Sequence, residues 1–526
     1  MIEAVYEVAG RDRAGAADLA LRVAVEQSVE VPLEVAQAAG LPEGTIGEVV
    51  SVDEVEGRWR ATVRYATWQA SGRPSQLINL LTGNCSMYRG SRLVDVRLPS
   101  DFTDRFEGPR YGVAGLRAML GVPKRPLLCS AIKPRGLSNE ALGEVAAAMA
   151  RGGCDLIKDD HNLVDETGEA FAARIKVFQA AVMREAEQSG RPCWYLPYLS
   201  VGPAEWGPYL EAIEREGIRG VLVSPMLIGF DAVWHLRKTT DLLLMSHPTF
   251  AGGAMLGPDH GVDHALLLGT LVRLVGCDAS VYANAGGRFD FDQATCLRLA
   301  DRLREPAGDR GVGPASWPTP AGGMSVERLD EQAKAYGADT CWLVGGAMLK
   351  HPGGVERGAA ALRAALVAKF GDEQETPVDA RLASACEMPG AAVVGQEARA
   401  VLRRAAEGWE GRSAVAYKGD EALPFAGVKR YELMGKAGEP MGFDVRYFEL
   451  EPGGYTSCEK HRHVHAIIAA EGEGEVEIGG EVHALGAHDL AYVPPLAVHQ
   501  VRNRSAGKAF GFYCIVDRKR DRPVGA

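Results

Sequence analysis

Two short stretches concentrate reactive side chains. "GGCDLIKDDHN" (152–162) sets a lysine, two aspartates and a histidine in consecutive positions after an apolar run, and "EKHRHVHA" (459–466) sets Glu459, His461, His463 and His465 at alternate positions. The first cluster reads as a solvated loop or as a cation cage. A lysine, an aspartate and one further ligand can hold Mg²⁺ if the amine first becomes a carbamate, which turns a cation into an oxygen donor; a histidine in the set loosens the preference for Mg²⁺. A metal so placed polarises a substrate carbonyl and acidifies the neighbouring C–H, and a second, desolvated lysine then serves as neutral base. In the second cluster, alternation on one strand would turn all four side chains to one face. "VPPLAVHQVRN" (493–503) brings His499 onto a neighbouring strand. Three or four imidazoles converging in a β-barrel suit a divalent transition metal such as Mn²⁺, Fe²⁺, Ni²⁺ or Zn²⁺. Cys514, in "GFYCIVD" (511–517), is either inert packing or a nucleophile whose thiolate a nearby metal favours.

These residues need elements to hold them. From about 125 to 368, short apolar runs alternate with amphipathic stretches: "PLLCSAIK" (126–133), "LIK" (156–158), "CWYLPYLS" (193–200), "GVLVSP" (220–225), "LLLMSH" (242–247), "ASVYAN" (279–284), "ASWPTPAGG" (315–323) and "TCWLVGG" (340–346). Helical patterns such as "NEALGEVAAAMARGG" (139–153) and "SVERLDEQAKAYGA" (325–338) lie between them. Eight such repeats predict a parallel (β/α)₈ barrel over 119–368, whose chemistry sits at the C-terminal strand ends. There lie Lys133, Lys158, His247, Asn284 and the pairs Gly322-Gly323 and Gly345-Gly346. The glycine pairs can offer backbone N–H groups to a phosphate. Residues 1–118 mix strand and helix patterns and predict an α+β domain; 369–394 read as a linker. A helix is expected over 395–408, followed by an all-β barrel over about 425–526. The whole is an α/β chain with an all-β C-terminal addition.

Bulk properties narrow the partners. The formal charge of −11 over 526 residues argues against nucleic acid, which demands a basic face. The apolar run "ALLLGTLVRLV" (265–275) falls far short of a bilayer span, and "MIEAVYEVAGRDRAG" lacks a signal pattern, so a cytoplasmic protein off the membrane is expected. The ten cysteines contain no C-x-x-C and read mostly as buried small hydrophobes.

Residues 1–368 resemble the ribulose-bisphosphate carboxylase superfamily. The stretches "EQSVEVP" (26–32), "TGN" (82–84), "FEGPRYGVAGLRAMLGV" (106–122), "IKPRGLS" (132–138), "GGCDLIKDD" (152–160), "MSHPTFAGG" (245–253), "AGG" (321–323) and "LVGGAM" (343–348) match in order. The resemblance implies that Lys158 forms the carbamate, that Asp160 ligates the metal and that Lys133 abstracts the proton, with His247 at the same catalytic rim. It also implies that Glu26 and Asn84 complete the site of a partner subunit, hence a homodimer. Three departures bear on activity. His161 stands where carboxylases carry a liganding glutamate, and Pro248 where they carry a phosphate-gripping arginine. The loop "YANAGGRFDF" (282–291) holds no lysine to stabilise charge developing on CO₂. One residue is also missing after Lys133. The pattern resembles the RuBisCO-like (form IV) branch, which keeps enolisation and drops CO₂ fixation, and Pro248 implies a substrate with one phosphate.

The segments around His461 and His499 resemble the two cupin motifs, with His465 replacing the usual carboxylate; whether Glu459 or His463 completes the set stays open. With "RRAAEGWEGRSAVAYK" (403–418), the C-terminal region is similar to cupin methylsulfurylases. Together the resemblances imply a bifunctional enzyme of methionine salvage. The barrel would isomerise 5-methylthioribulose 1-phosphate to 1-methylthioxylulose 5-phosphate. The cupin, with Cys514 taking the methylthio group and a thiol such as glutathione as co-substrate, would leave 1-deoxyxylulose 5-phosphate. The rival reading is a decarboxylase, transcarboxylase or hydrolase acting on a branched 3-oxo-sugar-acid phosphate, with the cupin a ligand-binding or accessory module.

Overall fold

In this computed structural model, residues 1–371 are described except 290 and 309. From 402 onward all are described except 406–407, 416, 418–422, 437–442, 462, 518–523 and 526. The chain forms two compact units, Met1–Ala383 and Ser384–Ala526.

The first unit opens with a five-stranded sheet in the order Gly261–Val262, Ser91–Arg97, Ile2–Val8, Arg58–Tyr65, Glu48–Val55. Its first strand, "IEAVYEV", buries every second residue, and that period places one face against helix Arg13–Ser28. Asp12 caps this helix by accepting from the Gly15 amide at 2.8 Å. The strand Gly261–Val262 follows the fifth barrel strand in sequence and adds in parallel to Ser91–Arg97, so sheet and barrel share a seam.

All eight expected barrel strands are present: Leu127–Ile132, Leu156–Asp159, Trp194–Leu196, Gly220–Val223, Leu243–Ser246, Ala279–Ala283, Trp317–Ala321 and Cys341–Leu343. Each pairs in parallel with its neighbours, and a bridge from Tyr198 to Leu222 closes the ring. Side chains alternate between the axis and the helix layer. Leu127, Cys129, Leu156, Leu196, Leu222, Met245, Val281 and Leu343 pack with Trp317 along the axis, while Leu128, Ile157 and Leu244 pack outward. The expected helices appear as Asn139–Arg151 and Leu329–Tyr336. The apolar run at 265–275 is a buried π-helix, Leu266–Leu271, followed by a short helical turn. Among the described residues, no helix is long and apolar enough to cross a membrane.

Helix Gly354–Phe370 takes in the first residues of the expected linker, 369–394; of the remainder, 372–394 lie outside the described residues. The helix expected over 395–408 is not found in its described part. Residues 402–405 are non-helical, Arg404 bridges to Trp409, and its guanidinium donates to Glu449 (3.0 Å) and Glu471 (2.8 Å). Docking Arg404 and Trp409 onto Tyr447 competes with helix formation there and wins. The second unit is an antiparallel ten-stranded sheet built around the long strand Phe443–Tyr455. Phe448, Leu450, Ile467, Val493, Val501, Phe510 and Phe512 form its core.

Candidate active sites at the barrel rim and in the C-terminal barrel

Period-two alternation explains the barrel rim. Lys133 continues the axial series Leu127, Cys129, Ala131; Lys158 and Asp160 continue Leu156; His247 continues Met245. Asp159 has the opposite parity and turns to the helix layer. It accepts from Arg174 Nη1 (2.6 Å), the Tyr195 hydroxyl (2.8 Å) and the Tyr198 amide (2.9 Å). Of the two consecutive aspartates, one is therefore an anchor and one faces the site. Asn284 also has outward parity and is bonded by Tyr336, so it packs rather than lining the rim.

Lys158 is 2% exposed, and its Nζ donates to the Asp159 carbonyl at 3.0 Å. Burial pushes its amine below the ordinary lysine range, which favours the neutral form that can add CO₂. Lys133 Nζ lies 2.8 Å from Asp160 Oδ2. Burial alone would raise the Asp160 carboxyl; hydrogen bonds from Lys133 and the Asn162 amide overcome it and hold the group at about 2. His161 Nδ1 lies 3.6 Å from Asp160 Oδ1, and its ring stacks on His247 with centroids 4.4 Å apart. Burial, then the charge of Lys158, holds His247 at about 2, so the ring is neutral. Its Nδ1 accepts from the Thr249 amide at 3.2 Å, which assigns the proton to Nε2.

These residues fit a hard cation. A carbamate on Lys158 and the ionised Asp160 would supply oxygen donors, and His161 a neutral nitrogen. Lys133 pairs with Asp160, and a cation taking that carboxylate would free the Lys133 amine from this contact. Gly322, Gly323, Gly345 and Gly346 line one cleft of about 290 Å³ with Gly286, Ser325 and Arg328. The Gly323 carbonyl accepts from Arg328 (3.1 Å) and Gln332 (2.8 Å), which fixes that loop. Glu26 and Asn84 meet elsewhere: Asn84 Nδ2 donates to Glu26 Oε1 at 2.9 Å inside a cleft of about 340 Å³ that no rim residue lines.

In the C-terminal barrel the imidazoles converge by a different route from the one alternation predicts. Strand pairing covers Glu459–Lys460 and resumes at His465, so His461 and His463 lie on an irregular segment. One local and one distant bond occupy this stretch: His461 Nδ1 donates to the His463 carbonyl at 2.7 Å, and the Leu496 amide donates to the His461 carbonyl. Glu459 and His499 are direct cross-strand partners. The outcome is two overlapping triads, His461–His463–His465 and Glu459–His461–His499, the ligand atoms of each lying within 4.8 Å of one another. Both Glu459 and His463 are thus at hand.

The donor set fits a transition metal. The Nδ1 bond leaves His461 Nε2 as a lone pair, buried and without a hydrogen-bond partner among the described residues. His499 Nδ1 likewise lies 3.1 Å from the Ala497 carbonyl. Burial, reinforced by neighbouring imidazoles, lowers His461 and holds His465 at about 2, so both rings are neutral. His463 Nε2 and His465 Nε2 are 3.1 Å apart, near the ~3 Å between adjacent imidazole nitrogens on a six-coordinate ion. Cys514 faces the same interior, its Sγ 3.7 Å from His465 Nδ1. Sequence reading missed Arg446, whose Nη2 donates to Cys514 Sγ at 3.4 Å. Its parity with Phe448 and Leu450 in "RYFEL" was the available signal.

Residues 112–388, more than half of the chain, match the ribulose bisphosphate carboxylase large chain catalytic domain. The chain belongs to that family. Residues 446–516 match the cupin domain. Ribulose bisphosphate carboxylase-like protein 1 of Rhodopseudomonas palustris is 38% identical over 350 residues, spanning 65% of this chain and 91% of the relative. The 5-methylthioribulose-1-phosphate isomerase of Rhodospirillum rubrum is 37% identical over 357 residues, spanning 66% and 91%. The crystal structure of a Rubisco-like protein from Rhodopseudomonas palustris superposes with a TM-score of 0.62 at 36% identity, covering 70% of this chain and 97% of that one.

Proposed function

We propose that the chain is a bifunctional enzyme of methylthio-sugar phosphate salvage, its barrel an isomerase of 5-methylthioribulose 1-phosphate and its cupin a methylsulfurylase. The observation that carries the barrel half is the rim itself: Lys133 2.8 Å from Asp160, beside the buried amine of Lys158 and the neutral ring of His247. Similarity to the Rhodospirillum rubrum isomerase supports the substrate. Mg²⁺ held by carbamylated Lys158, Asp160 and His161 would supply polarisation of the substrate carbonyl. Lys133 takes the proton from C3 and, after exchange of its ammonium hydrogens with solvent, delivers one to C2, which moves the carbonyl to C3; a second transfer from C4 to C3 moves it to C4, the ketone of the product. His247 presents Nε2–H to the developing oxyanion. Backbone N–H groups at Gly322-Gly323 and Gly345-Gly346 receive the phosphate. Glu26 and Asn84, apart from the rim within one chain, would serve a partner's rim in a homodimer.

In the cupin, Mn²⁺, Fe²⁺, Ni²⁺ or Zn²⁺ held by His461, His499 and their neighbours would polarise the ketone of 1-methylthioxylulose 5-phosphate. Arg446 favours the Cys514 thiolate, which attacks the methylthio sulfur. An S–S bond forms, the C1–S bond breaks with its electron pair going to C1, and protonation of that carbon yields 1-deoxyxylulose 5-phosphate. An external thiol such as glutathione then reduces the Cys514 methyl disulfide and carries the methylthio group away as a mixed disulfide. NMR of the full chain turning over 5-methylthioribulose 1-phosphate in D₂O tests both halves. Deuterium is expected next to the carbonyl, and His499→Ala should stop the reaction at the isomerised methylthio sugar. Isomerisation with no solvent deuterium would rule out the proton-transfer mechanism.

A further inference from the structure

Tyr417 lies on the segment preceding the cupin strands, outside both metal-binding motifs, yet its hydroxyl reaches the metal-ligand cluster through one intermediary. The Ser457 amide donates to Tyr417 Oη at 3.2 Å, and Ser457 Oγ lies 2.9 Å from the same oxygen. Ser457 Oγ in turn donates to Glu459 Oε2 at 2.6 Å. The proton directions follow from chemistry. Ser457 has a single hydroxyl proton and gives it to Glu459 Oε2; the remaining contact is a hydrogen bond only if Tyr417 donates to Ser457. The chain therefore runs Tyr417 O–H to Ser457 O–H to Glu459, each bond polarising the next, and ends in the short 2.6 Å bond to the carboxyl. Ser457 is buried, and Tyr417 is wedged edge-on between Phe425 and Phe448 with centroids 4.8 and 5.8 Å away.

We propose that Tyr417 and Ser457 are positioning residues for the cupin metal, clamping the Glu459 carboxylate through Oε2 so that it meets the cation in one fixed orientation beside His461 and His499. The inference rests on reading Glu459 as a metal ligand. It makes Tyr417, outside both motifs, part of the support of the metal site. Partners that orient a ligand in this way set metal affinity, and their loss typically costs roughly 10–100-fold.

The test is Mn²⁺ binding to the full, chelator-stripped chain, followed by the EPR signal of free Mn²⁺; the cupin's share is the binding that His499→Ala removes. Ser457→Ala is expected to weaken that share by roughly 10–100-fold and Tyr417→Phe by about 10-fold, while Ser457→Thr, which keeps the hydroxyl, holds it near the parent value. With Co²⁺ in place of Mn²⁺, the visible bands of Ser457→Ala should shift as the carboxylate turns, a change that a merely structural role would not produce. Parent-like affinity and spectra in both Ser457→Ala and Tyr417→Phe would overturn the clamp. Glu459→Ala separates the two failures: if it binds Mn²⁺ like the parent, Glu459 is no ligand and the underlying reading fails; if it binds weakly while Ser457→Ala does not, the clamp alone fails. Should Tyr417→Phe not fold, the Ser457→Ala and Ser457→Thr pair decides the matter.

Discussion

The barrel rim and the cupin interior handle charge in opposite ways. At the rim, formal charges face each other at close range, as with Lys133 and Asp160 at 2.8 Å, beside a buried amine, Lys158, held below the ordinary lysine range. In the cupin, burial strips charge from imidazoles, and neutral nitrogen lone pairs do the gathering. Donor type rather than donor number separates the two: oxygen from carbamate and carboxylate suits a hard ion, and clustered imidazole suits a transition metal. If both sites load as proposed, that difference in donors would help one polypeptide keep two cations apart without sorting them by affinity alone.

The sharpest way to break that comparison is to disable one region and watch the other. Lys133→Met should lower isomerisation by roughly 10²–10⁴-fold. Conversion of supplied 1-methylthioxylulose 5-phosphate should stay unchanged, and Cys514→Ala should show the reverse, with both rates read by product NMR. Metal replacement comes next. After chelation, adding Mg²⁺ alone should restore isomerisation and leave methylthio release absent until a transition metal is supplied, as measured by thiol consumption. A smaller effect probes the anchor behind the rim. Arg174→Met leaves the buried Asp159 short of its counter-charge and should cost about 3–5 kcal/mol, read from urea unfolding followed at the barrel. The smallest effect is acid sensitivity. His247 and His465 are each held at about 2, well below the ordinary histidine value, so the unfolded chain binds more protons as pH falls below about 6.5. Each should remove about 1 kcal/mol from its own unit between pH 6.5 and 5.5 in the metal-free chain, against only about 0.1 kcal/mol per ring between pH 8 and 7. Urea midpoints at those pH values provide the check.

Much of the barrel was legible because its strands are short continuous apolar runs, and all eight fall where those runs lie. The rim residues were legible for a related reason: a polar side chain at the end of such a run has few places to go. Which aspartate of the pair faces the site was not legible, since that required the parity of Leu156 and the distant Arg174 together. The histidine cluster was found through a spacing argument whose premise failed. The rings converge, but on a turn stabilised by His461 itself rather than on one strand. Tyr417 and Ser457 carry no spacing signal at all, because the contact between them spans forty positions. Arg404 and Trp409 defeated the helix expected near 395–408 through packing on strands far along the chain, which no local periodicity encodes.

The two-residue strand Glu459–Lys460 rests on one rung to His499 and on two to Gly525 and Val524. An ion gripped simultaneously by Glu459 and His499 would act there as a rivet through facing strand ends, doing for a short ribbon what a covalent crosslink does for a long one. Loading the ion would then stiffen the barrel's lip as well as arm its chemistry, and protease resistance at that lip would report occupancy before any turnover is measured.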